Sequence, residues 1–105
     1  MYTIVESVNF ARKANELLSE ESREALATYL ALFPNAGALI PGSGGLRKLR
    51  WRSRRSGKRG GLRVINFNRL PRGQVLLVTI FSKRRLENFS KKELLQFRKA
   101  FDHDD

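Results

Sequence analysis

The sequence predicts an α+β fold, in the order β-α-α-β-β-β-α, with the helices packed on one side of a small antiparallel sheet. Three observations carry this. Two helical periodicities stand together in the first third, three stretches of period-two or continuous apolar character follow one another closely, and a capped helical segment closes the chain.

Tyr2, Ile4 and Val8 share parity, which predicts a first strand ending near Asn9. Asn9 can cap a short helix in which Phe10, Ala14, Leu17 and Leu18 fall at i, i+4, i+7 and i+8. Ser19 reads as a second N-cap, with Glu20 and Glu21 in the first turn, where the helix dipole favours negative charge. Leu26, Tyr29, Leu30 and Phe33 then form one apolar stripe, and Pro34 stops the helix. Residues 35–45, NAGALIPGSGG, read as a Gly/Pro/Ser-rich connector.

Beyond it the period becomes two. Arg47, Leu49 and Trp51 alternate with Lys48, Arg50 and Arg52, so one strand face is apolar-leaning and the other cationic. Arg54–Gly61 reads as a turn, Leu62–Asn68 as the next strand, and Asn68–Gly73 as another turn. Val75–Phe81 is nearly all apolar, as a central strand buried on both faces requires. Ser90 and Glu93 have the spacing of a capping box, with Leu94, Leu95, Phe97 and Phe101 in the helix that follows. Residues 103–105 read as a frayed tail, and the whole chain, 1–105, as a single domain without internal repeats.

Charge narrows the functional classes. Formal net charge is +11, and the Lys and Arg residues are not mixed with acids. Between positions 25 and 86 there are 14 Lys or Arg and no Asp or Glu, whereas Glu6, Glu16, Glu20, Glu21 and Glu24 all precede that stretch. Unrelieved self-repulsion of this kind costs stability and points to a polyanion-binding surface, with RNA the favoured ligand. The basic residues fall on strand-like and loop-like sequence, not on an amphipathic helix, which argues against a membrane surface. The N-terminus lacks the basic-then-apolar pattern of a secretory signal, and the longest apolar run is far short of a membrane span, so a soluble cytoplasmic protein is expected. With no cysteine, disulfides and Cys-based metal sites are excluded.

Several catalytic mechanisms are excluded as well. The only histidine is His103, so neither a Ser–His–Asp triad nor a two-histidine ribonuclease site can be assembled. The basic middle has no carboxylates to hold catalytic metal ions, and GSGG at 42–45 lacks the GK[ST] ending of a phosphate loop. No metal or cofactor is expected. What remains is chemistry by Lys and Arg. Cleavage of RNA by its own 2′-hydroxyl needs that hydroxyl deprotonated, the phosphorane charge stabilised and the leaving oxygen protonated. Arginine stabilises the charge but is a poor base, whereas a lysine crowded by cations can serve as one. Lys48 is flanked by Arg47 and Arg50, and Lys83 by Arg84 and Arg85. The same lysines can equally do no more than neutralise phosphates.

Spacing gathers these candidates. Lys48 and Arg50 point to one strand face, Arg63 lies across the hairpin, and Lys83 and Arg84 follow the third strand of the group. In a meander these positions can converge. Arg52, Arg54, Arg55, Lys58 and Arg59 surround the hairpin tip, where exposed charge suits contact with a nucleic-acid backbone. Trp51, Phe67 and Phe81 can stack on bases, but strand aromatics more often belong to the core.

The run from Leu39 to Phe101, about two-thirds of the chain, resembles the RelE/HigB toxins of bacterial type II toxin–antitoxin systems. The resemblance is carried by IPGSGGLRKLRW at 40–51, GKRGGLRVINF at 57–67 and VLLVTIFSKRRLENFSKKEL at 75–94. It implies a compact β-α-α-β-β-β unit, often with a last helix, and a metal-independent endoribonuclease that cleaves messenger RNA on the ribosome and so inhibits translation. By position, Lys48 and Arg50 match the paired basic residues of the family's second strand. Arg63 matches the arginine of the third, Arg84 the arginine just after the fourth, and Lys83 adjoins it. Lys48, Arg50, Arg63, Lys83 and Arg84 are then the catalytic candidates. Arg47, Arg52, Arg54, Arg55, Lys58, Arg59 and Phe89 are the candidates for RNA or ribosome binding. Several members carry a tyrosine just beyond the last arginine. Here that stretch is LENFS, with Phe89 and Ser90, so no aromatic hydroxyl is present. The implied partners are the ribosome, messenger RNA and a cognate antitoxin, often a helix-turn-helix protein. Two other readings stand beside this one: a ParE-like gyrase poison of the same fold, and a non-enzymatic RNA- or ribosome-binding module.

Overall fold

A computed structural model describes residues 1–52, 61–82, 90, 92, 93, 95, 96 and 99. The elements run β1 (Thr3–Glu6), α1 (Val8–Leu17), α2 (Glu20–Leu32), β2 (Ala38–Leu39), β3 (Arg47–Trp51), β4 (Leu62–Arg69), a single 3-10 turn (Leu70–Arg72) and β5 (Gln74–Ser82). The class is α+β, as expected.

The sheet differs from the expectation: it is mixed, and it has an additional edge strand. Its order is β1-β5-β4-β3-β2, with β1 parallel to β5 and the other neighbours antiparallel. β3, β4 and β5 form the expected meander, but a meander alone would leave β5 at an edge. Val75–Phe81 is buried throughout, so β5 needs a neighbour on each side. β1 supplies the second one, pairing Thr3–Glu6 with Gln74–Leu77. On the far edge, β2 contributes only two rungs, Ala38 with Lys48 and Leu39 with Arg47. Two residues are too few to show a period, and this strand lies inside the expected connector.

Both helix starts are set by serines. The first cap is Ser7 rather than Asn9, and the first strand accordingly ends at Glu6, with Val8 already helical. The Ser7 hydroxyl accepts from the Phe10 amide at 2.9 Å and donates to the Val78 carbonyl at 2.6 Å. That carbonyl belongs to the extra residue of a register shift. Ile65 pairs with Thr79 and Asn66 with Leu77, which leaves Val78 unmatched. Asn9 instead accepts from the Thr79 hydroxyl at 2.5 Å, and Lys13 lies 5.9 Å over the Phe81 ring. α1 therefore packs along the half of β5 that β1 does not pair with. Ser19 caps α2 as expected, accepting from the Ser22 amide at 3.1 Å.

Two apolar clusters hold the sheet from opposite faces. On the helical side Phe10, Ala14, Leu18, Leu26 and Leu30 meet Leu49, Leu62, Val64, Val75, Leu77 and Ile80. Leu46, Ile65, Leu76, Val78 and Phe81 form the cluster on the other face. Of the stripe expected on α2, Leu26 and Leu30 are buried, but Tyr29 and Phe33 are exposed. Trp51 packs against the helical-side cluster, and its indole N–H donates to the Ser22 hydroxyl at 3.1 Å.

The GSGG segment is an ordered turn. Ser43 is fully buried; its hydroxyl donates to the Ile40 carbonyl at 2.6 Å and accepts from the Leu46 amide at 3.0 Å. Gly45 has φ +107°, and a Cβ there would stand 3.0 Å from the Phe67 ring. The capping box near the C-terminus is formed: the Glu93 amide donates to the Ser90 hydroxyl at 3.1 Å, and the Ser90 amide to Glu93 Oε1 at 3.3 Å. Lys92, Glu93, Leu95, Gln96 and Lys99 are helical, while Leu94, Phe97 and Phe101 lie outside the described residues. Among the described residues, no helix is long and apolar enough to cross a membrane.

Candidate nucleic-acid interface

β3 and β4 build the cationic face together. Lys48 stands opposite Ile65, and Arg50 stands opposite Arg63. Directly opposed residues share a face, and Ile65 belongs to the cluster away from the helices. Lys48, Arg50 and Arg63 therefore leave the sheet together on the side opposite the cluster that holds Phe10, Leu26 and Leu30. Along β3, Lys48 and Arg50 are separated by about 7 Å, and Arg50 and Arg63 by about 5 Å across the ladder, from strand geometry. Arg63 is also paired on its other side with Phe81 of β5. It is central to the group, half-buried, and donates to its neighbour's carbonyl, that of Leu62, at 3.3 Å.

Two arginines directly opposite each other repel, and such pairs destabilise a sheet. Lys48 and Arg50 are exposed and have no hydrogen-bond or ion-pair partner among the described residues. The ion pair between described residues is elsewhere: Arg23 binds both Glu6 oxygens, at 2.6 and 2.9 Å. The hydrogen bonds that Arg23 donates to Glu6 raise its pKa, with burial opposing them. Glu6 is thus used by Arg23, while the side chains of Lys48 and Arg50 have no anionic partner among the described residues.

The other candidates separate by position. Arg52 follows β3 with the parity of Lys48 and Arg50 and is exposed. Arg47 has the opposite parity. Its Nη1 donates to the carbonyls of Asn35 and Gly37, both at 3.0 Å, and so ties the 35–37 loop to the strand. Asn68 works alongside, donating to the Pro34 carbonyl and to Asn35 Oδ1, each at 2.6 Å. Neither role was legible in sequence, because both depend on where a loop returns to the sheet. Lys83 and Arg84, the hairpin-tip residues Arg54, Arg55, Lys58 and Arg59, and Phe89 lie outside the described residues. The described end of β5, Phe81–Ser82, stands opposite Arg63–Leu62.

The strand aromatics resolve toward the core. Trp51 is on the helical side, Phe81 is buried, and Phe67 is partly buried beside Gly45. Phe81 stands beside Arg63 with Lys13 over its ring, but it is buried. Among the described residues no three His, Cys, Asp or Glu side chains gather as a metal site. The arrangement can bind phosphate oxygens with several N–H donors at once, and can stabilise negative charge that develops there. No protein-family model matches the chain.

Proposed function

We propose that the chain is the toxin of a bacterial type II toxin–antitoxin pair, a ribosome-dependent, metal-independent endoribonuclease that cuts messenger RNA and stops translation. The observation that carries this reading is the gathering of Lys48, Arg50 and Arg63 on one sheet face, with Arg50 and Arg63 directly opposed. Like charges directly opposed across a ladder repel, and a phosphate lying between the two guanidinium groups relieves that repulsion. The RelE-like order of elements and the three sequence blocks support the same reading.

In the proposed reaction the 2′-oxygen attacks the adjacent phosphorus and gives up its proton to a general base. Arg50 and Arg63 hold the charge that grows on the phosphorane oxygens. The bond to the 5′-oxygen breaks, and that oxygen takes up a proton, leaving a 2′,3′-cyclic phosphate and a 5′-hydroxyl. Lys48 and Lys83 are the two lysines available for the first transfer. The proposed partners are the ribosome, its bound message and an antitoxin that blocks the cationic face, all within the cytoplasm.

Primer extension on a translated message after induction tests the proposal. New 5′ ends in phase with codons are expected. Growth arrest without such ends would refute it, and DNA damage in their place would favour gyrase poisoning by the same fold.

A further inference from the structure

The exposed side of α2 has a character that the nuclease reading does not use. Its N-terminal half presents Glu20, Glu21 and Glu24, all exposed and without an ion-pair partner among the described residues. Its C-terminal half presents Tyr29, Leu32 and Phe33, of which Leu32 is 54% and Phe33 56% exposed. Glu21, Glu24, Ala25, Thr28 and Leu32 fall on one side of the helix and are all exposed. The row from Glu21 to Leu32 is about 16 Å long at 1.5 Å per residue. Tyr29 and Phe33 are in ring contact at 5.2 Å, and with Leu32, Pro34, Asn35 and Ala36 they line a shallow depression of about 460 Å³.

A surface helix normally turns its apolar side inward, and clustered exposed aromatic and aliphatic side chains mark a site of association. Charge selects the occupant. The glutamates repel phosphate, so this side cannot serve RNA. An acidic protein segment is drawn to the cations on the opposite face instead. A basic, apolar segment matches both halves of the row, and a helix laid alongside α2 can reach both ends.

We propose that this side of α2 is the docking surface for an amphipathic helix of a partner protein, apolar opposite Tyr29, Leu32 and Phe33 and basic opposite Glu21 and Glu24. The site is separate from the cationic face and does not rest on the nuclease reading.

Trp51, the only tryptophan, lies 5.9 Å from the Tyr29 ring and reports on occupancy through its fluorescence. The probes are two synthetic helical peptides with the same apolar side, one flanked by lysines and one by glutamates. The lysine peptide should bind saturably and at least 10-fold more tightly than the glutamate peptide, although a net charge of +11 alone predicts the reverse. Leu32→Asp should weaken that binding at least 10-fold. Glu21→Gln with Glu24→Gln should remove the preference, and Lys48→Ala should leave it unchanged. Tighter binding of the glutamate peptide, or loss of binding in Lys48→Ala, would overturn the proposal. So would a dimer in sedimentation that Leu32→Asp dissolves, since the occupant would then be a second copy.

Discussion

The cationic group on the sheet and the helical hairpin are built on opposite terms. On the hairpin, charges are matched where they meet: Arg23 is held by both Glu6 oxygens and by Asn15 Oδ1 at 2.7 Å. On the sheet, Arg50 and Arg63 are placed against each other, with Lys48 on the same face. The first arrangement stabilises the fold by itself. The second sets like charges side by side, where a bound anion relieves their repulsion. The difference teaches where function resides: substitutions on the sheet face should cost activity and spare stability, and those on the hairpin the reverse.

The largest effect should follow from Arg63→Ala. Loss of one donor to a developing oxyanion typically costs about 10²- to 10³-fold in rate, so message cleavage should fall by that much while thermal melting changes little. Unchanged cleavage would break the comparison at its functional end. On the helical side, Leu26 is fully buried, and Leu26→Ala should cost about 2–5 kcal/mol in denaturant unfolding. Cleavage per folded molecule should be preserved. Ser7→Ala removes a helix cap and leaves the Val78 carbonyl without its donor, for a loss of about 1–2 kcal/mol.

Smaller effects sharpen the contrast. Arg50→Thr relieves the cross-strand repulsion and should raise stability by a few tenths of a kcal/mol. The salt dependence of binding to single-stranded RNA should then become shallower by about 0.7 in log–log slope, the share of one phosphate contact. Of similar size, Glu6→Gln should cost on the order of 0.5 kcal/mol, as a partly exposed pair does. Because pairing raises the Arg23 pKa, its contribution is complete below the unfolded value, far above neutrality, and is lost only as the pH climbs through the raised one. Melting through the neutral range should show no step from this residue.

Much of the fold was legible because its signals are local. The meander, the Ser19 cap, the Ser90–Glu93 capping box and the doubly buried Val75–Phe81 each follow from residue type and period. The parallel partner of β5 was not stated by any local pattern, although two-sided burial of that strand already required a second neighbour. Ser7 lost to Asn9 as the expected cap because its hydroxyl is fixed by a carbonyl 71 residues away. Tyr29 and Phe33 show the converse: a periodic apolar stripe gives a side of a helix, not what covers it. In the candidate site, strand parity alone placed Lys48 with Arg50, and the register then set Arg63 beside them. The same parity put Arg47 on the other side, where loop carbonyls claim it.

The central claim is that the cationic face acts on RNA. It is tested most directly by message cleavage in a reconstituted translation reaction, with wild-type chain and Arg50→Ala at equal folded concentration. Codon-phased cuts by the wild type, reduced at least 100-fold in a variant that melts no lower, are the predicted result. Equal cutting by both chains, or none by the wild type on translated message, would contradict it.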